Sequence, residues 1–432
     1  MATYMQRAAK RASSGRGKRP SPVSTASTPP RASKKQAGKR RGGGRKVTQG
    51  SAPADVRVVD GGGDASDSPV AEAQARSERF LRACRGQQVD CAPVWLMRQA
   101  GRYMPEYQRT RARAGDFLTL CRTPDLACEV TLQPIDQLGV DAAILFSDIL
   151  VPLPPMGIPL TFTDEGPRLD PVRSAAAIAG LRVAEESDYT FVTDAVRLCR
   201  RALDGRVPLI GFAGAPFTLL SYAVEGHTSK QFTHCKRLLF TAPEAAHQLL
   251  DKLTQTVIGY LQAQVRAGAQ ALQIFDSWVG VLSPEDFAQF AAPYVRRILV
   301  ALRPLGVPLI YFGHGASALY DQIGKLPADV FGVDWRLPID VARRQLGMSR
   351  SSDGRRASSA TAIQGNLDPI ALLAPPAEIE RRVTDILQRA PRRGFIFNLG
   401  HGVVPETPVA HAQAVVEMVH RLSARGLRGR GQ

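Results

Sequence analysis

From Pro93 onward the chain alternates short apolar runs with longer stretches in which apolar residues recur at helical spacing. Eight apolar runs stand out: Pro93–Met97, Ala142–Ser147, Val207–Ala213, Ala271–Phe275, Val307–Phe312, Val330–Val333, Thr361–Gln364 and Phe395–Asn398. Each is short enough to be a buried strand. Between them come amphipathic stretches such as Pro124–Leu138, Pro243–Ala267 and Pro284–Arg303, which predict helices. Eight strand–helix repeats of this length predict a (β/α)8 TIM barrel over residues 76–425. An open doubly wound sheet is the alternative, but no Gly-rich dinucleotide fingerprint follows the first strand.

The pattern fails at the N-terminus. Residues 1–75 are rich in Ser, Gly, Pro, Lys and Arg and nearly empty of large apolar side chains, so they cannot offset the entropy of ordering and are expected to form a disordered basic tail. Asp55–Asp67 reads as a Gly/Asp-rich linker, and Ala71–Arg85 as a short helix leading into the body. Met348–Ala360 is polar and predicts a surface insertion before the seventh strand.

Charge sharpens this division. The net charge is +17, but residues 1–54 hold 14 Lys and Arg and no acid, which leaves 42 basic against 39 acidic residues in the remainder. A body so close to neutrality does not by itself suggest nucleic acid as a partner. The basic run Lys34–Lys46 reads as a solvated tail with weak, non-specific polyanion affinity, as a plastid-type transit peptide, or as a nuclear or nucleic-acid signal lacking interleaved aromatics. The six cysteines form no CxxC and no zinc-type spacing with histidine, and suit a reducing compartment. Cys121 and Cys128, seven apart, could share a helix face. No apolar run is long enough to span a membrane, and no secretory h-region follows Met1, so a cytoplasmic location is expected, with the plastid as alternative.

In a (β/α)8 barrel chemistry gathers at the C-terminal ends of the strands. Here the first apolar run ends at Arg98, with Arg102 four residues on. If the chain turns helical there, both guanidinium groups share a face and form a clamp for carboxylate or phosphate. A structural ion pair with Glu106 is the other reading. Asp148 follows Ala-Ala-Ile-Leu-Phe-Ser and precedes Ile-Leu-Val, so its carboxylate should be poorly solvated. It is either a helix cap, the partner of a structural arginine, or a functional group. Asp276-Ser277-Trp278, Gly313-His314-Gly315 and Asn398-Leu-Gly-His401-Gly402 follow later strands. Tyr222 falls on the second turn of a helix that can start at Pro216, either as a core tyrosine or facing a ligand. Ser277 reads equally as a turn residue, and His401 as a structural histidine. The remaining histidines (His227, His234, His247, His411, His420) read as surface or packing residues.

Six ordered blocks carry a resemblance. MRQAGRYMPEY (Met97–Tyr107), FSDILVP (Phe146–Pro152), GFAGAPFTLLSYAVEG (Gly211–Gly226), FDSW (Phe275–Trp278), QGNLDP (Gln364–Pro369) and NLGHGVVPETP (Asn398–Pro408) together resemble the uroporphyrinogen decarboxylases of haem biosynthesis, spanning roughly Ala83–Leu422. The resemblance implies the same barrel, a homodimer with facing clefts, and stepwise decarboxylation of the four acetates of uroporphyrinogen to methyls without a cofactor. It implies that Asp148 accepts the inward-pointing pyrrole N–H groups and stabilises developing positive charge, with Arg98, Arg102, Tyr222 and His401 as its catalytic companions. Gln99, Ala100 and Ser277 join them in binding substrate. No lysine in a Schiff-base context, metal constellation or flavin motif stands out, and a protonated pyrrole can serve as its own electron sink. Corrinoid-linked methyltransferases resemble relatives on the same barrel but use a His-x-Cys zinc site, whereas the comparable segment here is His314-Gly315-Ala316 and no cysteine follows Cys235. A barrel that has lost activity and binds polyanions through its tail is the reading from another class.

Overall fold

The structure is a computed structural model and describes residues 69–163, 165–349, 358 and 360–428. Residues 1–68, with the basic run and the Asp55–Asp67 linker, and most of the 348–360 insertion lie outside the described residues, whereas residues 69–75, expected to belong to the disordered tail, are helical, because the apolar spacing of the first helix already begins there.

In chain order the described elements are helices α1 (Pro69–Cys84), α2 (Pro105–Ala114), α3 (Phe117–Arg122) and α4 (Pro124–Leu138), then strand β1 (Ala143–Ile144). The strands β2 (Leu160–Thr163) and β3 (Gly166–Leu169) follow, then α5 (Ala175–Gly180), α6 (Thr190–Leu203) and β4 (Leu209–Gly214). Next come α7 (Pro216–Glu225), α8 (Thr233–Thr241), α9 (Pro243–Ala267) and β5 (Ala271–Asp276). Then α10 (Pro284–Phe290), α11 (Ala292–Leu302), β6 (Leu309–Gly313), α12 (Tyr320–Ile323), β7 (Val330–Gly332), α13 (Ile339–Gln345) and β8 (Ala362–Leu367). The last are α14 (Pro376–Arg389), β9 (Phe395–Leu399) and α15 (Val409–Arg428). No described helix is long and apolar enough to cross a membrane.

Seven parallel strands run in the order β1-β4-β5-β6-β7-β8-β9. The ring is closed by the Pro93–Met97 run, which is not a regular strand but a single parallel bridge, Val94 with Phe397. Phe397 N donates to Pro93 O at 2.8 Å on one side, and Asp141 N donates to Val94 O at 2.8 Å on the other. This makes the eighth stave of the (β/α)8 barrel. Inside the ring, Trp95 Nε1 donates to Gln364 Oε1 at 2.9 Å, and Gln364 Nε2 donates to Gln273 Oε1 at 3.1 Å. These fully buried polar groups cross-link three staves around side chains such as Tyr311, Phe331 and Phe397.

The long apolar periodicities of α4 and α9 match their predicted spans. The Pro284–Arg303 stretch does not stay whole: it breaks at Ala291 into α10 and α11, because Pro293 supplies no N–H to a continuing helix. Cys121 and Cys128 do not share a helix face, since the chain breaks between α3 and α4 at Thr123-Pro124. All six cysteines are free and buried. The antiparallel β2–β3 pair was not anticipated; its residues, Leu-Thr-Phe-Thr and Gly-Pro-Arg-Leu, carry little apolar signal.

The N-terminal end of the barrel is fastened by Asp141, which is fully buried. Its carboxylate accepts hydrogen bonds from Arg79 Nη1 and from Val94 N at 2.8 Å, and lies 2.7 Å from His420 Nε2. Helix α1, the first stave and helix α15 thus meet on one carboxylate, and His420 proves to be a packing residue with a defined partner.

Candidate active site

Leu96–Arg102 does not turn helical. Arg98 takes a left-handed φ of 61°, which ends the stave abruptly, and Gln99 N donates to Leu96 O at 2.8 Å within a tight turn. A second turn through Gly101 follows, and α2 then starts with Pro105 in its first turn. Arg98 and Arg102 are therefore presented by two successive turns rather than by one helical face, and both are exposed. The alternative pairing with Glu106 is not made: that carboxylate accepts from Arg109 at 2.9 Å. Gln99 is buried, and its amide is spent on backbone, accepting from Leu96 N at 3.2 Å and donating to Ala142 O at 3.1 Å. The Gln99 main chain is engaged as well, its carbonyl accepting from Tyr103 Oη at 2.6 Å, so it is the half-buried Ala100 that offers a ligand its backbone.

Asp148 lies just past β1. One carboxylate oxygen accepts from Leu150 N at 2.8 Å, and among the described residues no donor reaches the other. Burial raises its pKa, against the lowering effects of the Leu150 N–H and the nearby Arg98 charge. Tyr222, in the second turn of α7, packs its ring against Trp278 at 5.8 Å. Burial pushes its phenol up to about 12, and the Asp148 charge adds to the shift. His401 follows β9, and its ring meets His314 edge-on at 4.7 Å. Burial lowers its pKa to about 4, helped by His314, Arg98 and Arg336. Gly402 lies directly under Arg98: a Cβ there would sit 3.0 Å from Arg98 Cβ and 3.2 Å from its Cζ. Arg98 thus stands within electrostatic reach of Asp148, Tyr222 and His401, the four being spread over 304 positions of sequence. Arg102 acts at Tyr107, where the charges of Arg111, Arg102 and Arg98 converge. Ser277 is half-buried past β5, beside the His314 ring.

Two features of this rim had no reading from sequence, and a third, Asp276, had none beyond its place at a strand end. Arg111 on α2 stacks over Phe117 at 5.5 Å, and its Nη1 is buried without a partner among the described residues. Its helical position hid it among other exposed arginines. Asp334, Trp335 and Arg336 follow β7 and surround His314; the abrupt Val-Asp-Trp-Arg after an apolar run was the available signal. Asp276 is fully buried, accepting from Thr218 Oγ1 at 2.7 Å and Tyr311 Oη at 2.8 Å. Burial lifts its pKa from 3.8 to about 6, partly offset by those two hydrogen bonds.

Asp276 yields a pH prediction. A carboxyl whose folded pKa is raised contributes stability that is present below its unfolded value and lost as pH rises through the folded one. The shift corresponds to about 3 kcal/mol. Unfolding free energies of the natural protein relative to Asp276→Asn should therefore fall by that order between pH 3.8 and about 6. Denaturant titrations across that range would test it, and parallel profiles for the two proteins would remove the assignment.

A closed eight-stave barrel with titratable side chains collected at the C-terminal mouth defines a (β/α)8-barrel enzyme. Comparisons with known proteins make the class specific. The family profile "Uroporphyrinogen decarboxylase (URO-D)" matches residues 75–422. Proteins named uroporphyrinogen decarboxylase are 49% identical over 352 residues in Carboxydothermus hydrogenoformans, covering 81% of this chain and 97% of the relative. The Myxococcus xanthus protein of that name is 52% identical over 347 residues, covering 80% and 96%. Among solved structures, a methyltransferase from Methanosarcina mazei superposes with a TM-score of 0.66 at 18% identity, covering 80% of this chain and 98% of its own, a likeness of fold alone. The chain belongs to the uroporphyrinogen decarboxylase family.

Proposed function

We propose that this chain removes carbon dioxide from the four acetate side chains of uroporphyrinogen III and releases coproporphyrinogen III, as a carboxy-lyase of tetrapyrrole biosynthesis. The observation that carries the reading at the level of chemistry is Asp148. It is a desolvated carboxylate at the barrel mouth with one oxygen unengaged, and the exposed Arg98 acts on it while making no ion pair among the described residues.

The unengaged oxygen of Asp148 accepts pyrrole N–H donors from the centre of the macrocycle. Arg98 and Arg102, forks that keep their charge, hold substrate carboxylates. His401, kept neutral by its surroundings, gives a hydrogen bond rather than a charge to the same groups. Tyr222 and Ser277 contact the edge near the reacting acetate, and the backbone at Ala100 closes the contact below it. A proton adds to the ring α-carbon next to the carbon bearing the acetate, making the pyrrole an iminium conjugated with that acetate-bearing carbon. The bond to the carboxylate carbon breaks, and its electron pair forms an exocyclic double bond that neutralises the iminium. A proton at the methylene and loss of the first proton from the ring leave a methyl, so one proton is consumed per carbon dioxide released. Asp148 stabilises the cation throughout, an electrostatic contribution that a low-dielectric pocket strengthens. A homodimer completes the reading, and sedimentation of the purified chain would test it.

The direct test is anaerobic incubation with uroporphyrinogen III, followed by oxidation and separation of products by carboxylate number. Species with seven to four carboxylates are expected; unchanged eight-carboxylate material would overturn the function. Gly402→Ala probes the arginine clamp without touching it. The new methyl would press on Arg98 at Cβ, Nε and Cζ, 3.0–3.2 Å away, which asks a shift of a few tenths of an ångström, so the unfolding midpoint should change little while KM rises about tenfold through the misplaced Arg98 fork.

A further inference from the structure

Beyond the β7 strand the chain builds a second guanidinium site. Arg336 Nη1 donates to the fully buried Asp334 Oδ2 at 2.6 Å and lies 3.2 Å from His314 Nε2. Arginine has no acceptor, so His314 Nε2 accepts, which puts the proton of the neutral ring on Nδ1. The flat of the guanidinium lies 4.6 Å over the Trp335 ring. Asp334 is itself anchored, accepting from Gly315 N at 2.6 Å and Arg336 N at 3.0 Å. One nitrogen and one face of Arg336 are thus fixed. Its Nε and Nη2 have no acceptor among the described residues, and the side chain remains 43% exposed.

This fork has a defined place on the rim. His314 touches His401, whose neighbour in turn is Arg98. The charge of Arg98 acts on Asp148, Tyr222 and His401, while that of Arg336 acts on His314 and His401. Arg336 therefore stands at the end of the row away from Asp148. A carboxylate held there is remote from the one being cleaved.

Resting on the decarboxylase reading, we propose that the free Nε–Nη2 edge of Arg336 is a carboxylate subsite that holds a propionate side chain, one retained in the product, while an acetate reacts beside Asp148. Asp334, Trp335 and His314 are positioning residues for that edge. A prepositioned fork forms paired hydrogen bonds with less loss of side-chain entropy than a free one.

The test separates substrate KM, kcat, and the Kd of coproporphyrin, a product-like probe with four propionates, measured by fluorescence quenching. The proteins are the natural chain, Arg336→Gln, Arg336→Lys and the double variant Asp334→Asn/Arg336→Gln, which leaves no buried unpaired charge. The proposal expects KM and the coproporphyrin Kd to rise together by about tenfold in Arg336→Gln and in the double variant, with kcat within about twofold. Arg336→Lys should recover only part of the loss, since it keeps the charge and not the fork. Unchanged KM and Kd in the double variant would overturn the subsite, as would a fall in kcat alone. If the natural chain binds coproporphyrin through Arg336 but produces no decarboxylated porphyrin, the subsite stands and the catalytic reading fails.

Discussion

Asp148→Asn should lower kcat on the order of 10²–10³-fold while changing the unfolding midpoint little. The carboxamide oxygen can still accept from Leu150 N, so the local turn survives. What disappears is the negative charge opposite the iminium, and the amide NH2 brings donors to face the pyrrole N–H donors. The pH dependence carries a sign as well. Burial raises the Asp148 pKa, so the carboxylate is lost at a higher pH than for a solvent-exposed aspartate as the solution is acidified. The acidic limb of the kcat/KM profile should accordingly lie above the ordinary aspartate range and vanish in the Asn variant. Product analysis by carboxylate number, at saturating substrate and across pH, measures both. Full activity in Asp148→Asn would refute the assigned role.

The largest effect on stability is expected at the other end of the barrel. Asp141→Ala should destabilise the protein by about 3–5 kcal/mol, because it removes one partner of a buried ion pair and leaves Val94 N–H without its acceptor. The same substitution at the exposed Asp194, paired with Arg197 at 2.7 Å, should cost less than about 1 kcal/mol. Urea unfolding midpoints of the two variants would compare them; equal losses would mean that the Asp141 network does not fasten the ring. Decarboxylation by Asp141→Ala should persist under conditions where it remains folded, since in such barrels the N-terminal end serves stability and the C-terminal end chemistry.

Much of this was legible along the chain. The spans of α4 and α9, the order of the staves and the placement of Arg98, Asp148, Ser277 and His401 just past strands follow from the alternation of apolar runs and helical periodicity. Tyr222 was placed on its helix by Pro216 alone. Arg336 was not legible, because an arginine after a strand is ambiguous until its partners are known. His314 is a partner only across neighbouring staves, and the contacts of Asp334 and Trp335, though next to Arg336 in sequence, exist only in the folded loop after β7.

The sequence by itself determined the repeat, the buried or exposed character of each run and the six blocks that mark the family, because burial and hydrogen-bond periodicity act over a few residues. Only the tertiary structure decided how the ring closes, with Val94 making one bridge instead of a full strand, and how Arg98 is aimed, through a left-handed turn packed on Gly402 some 300 positions away. The same holds for the pKa values. Asp148, Tyr222 and His401 carry shifts set by desolvation and by neighbouring charges, with Arg98 acting on all three, and those depend on distances that exist only once the staves have closed.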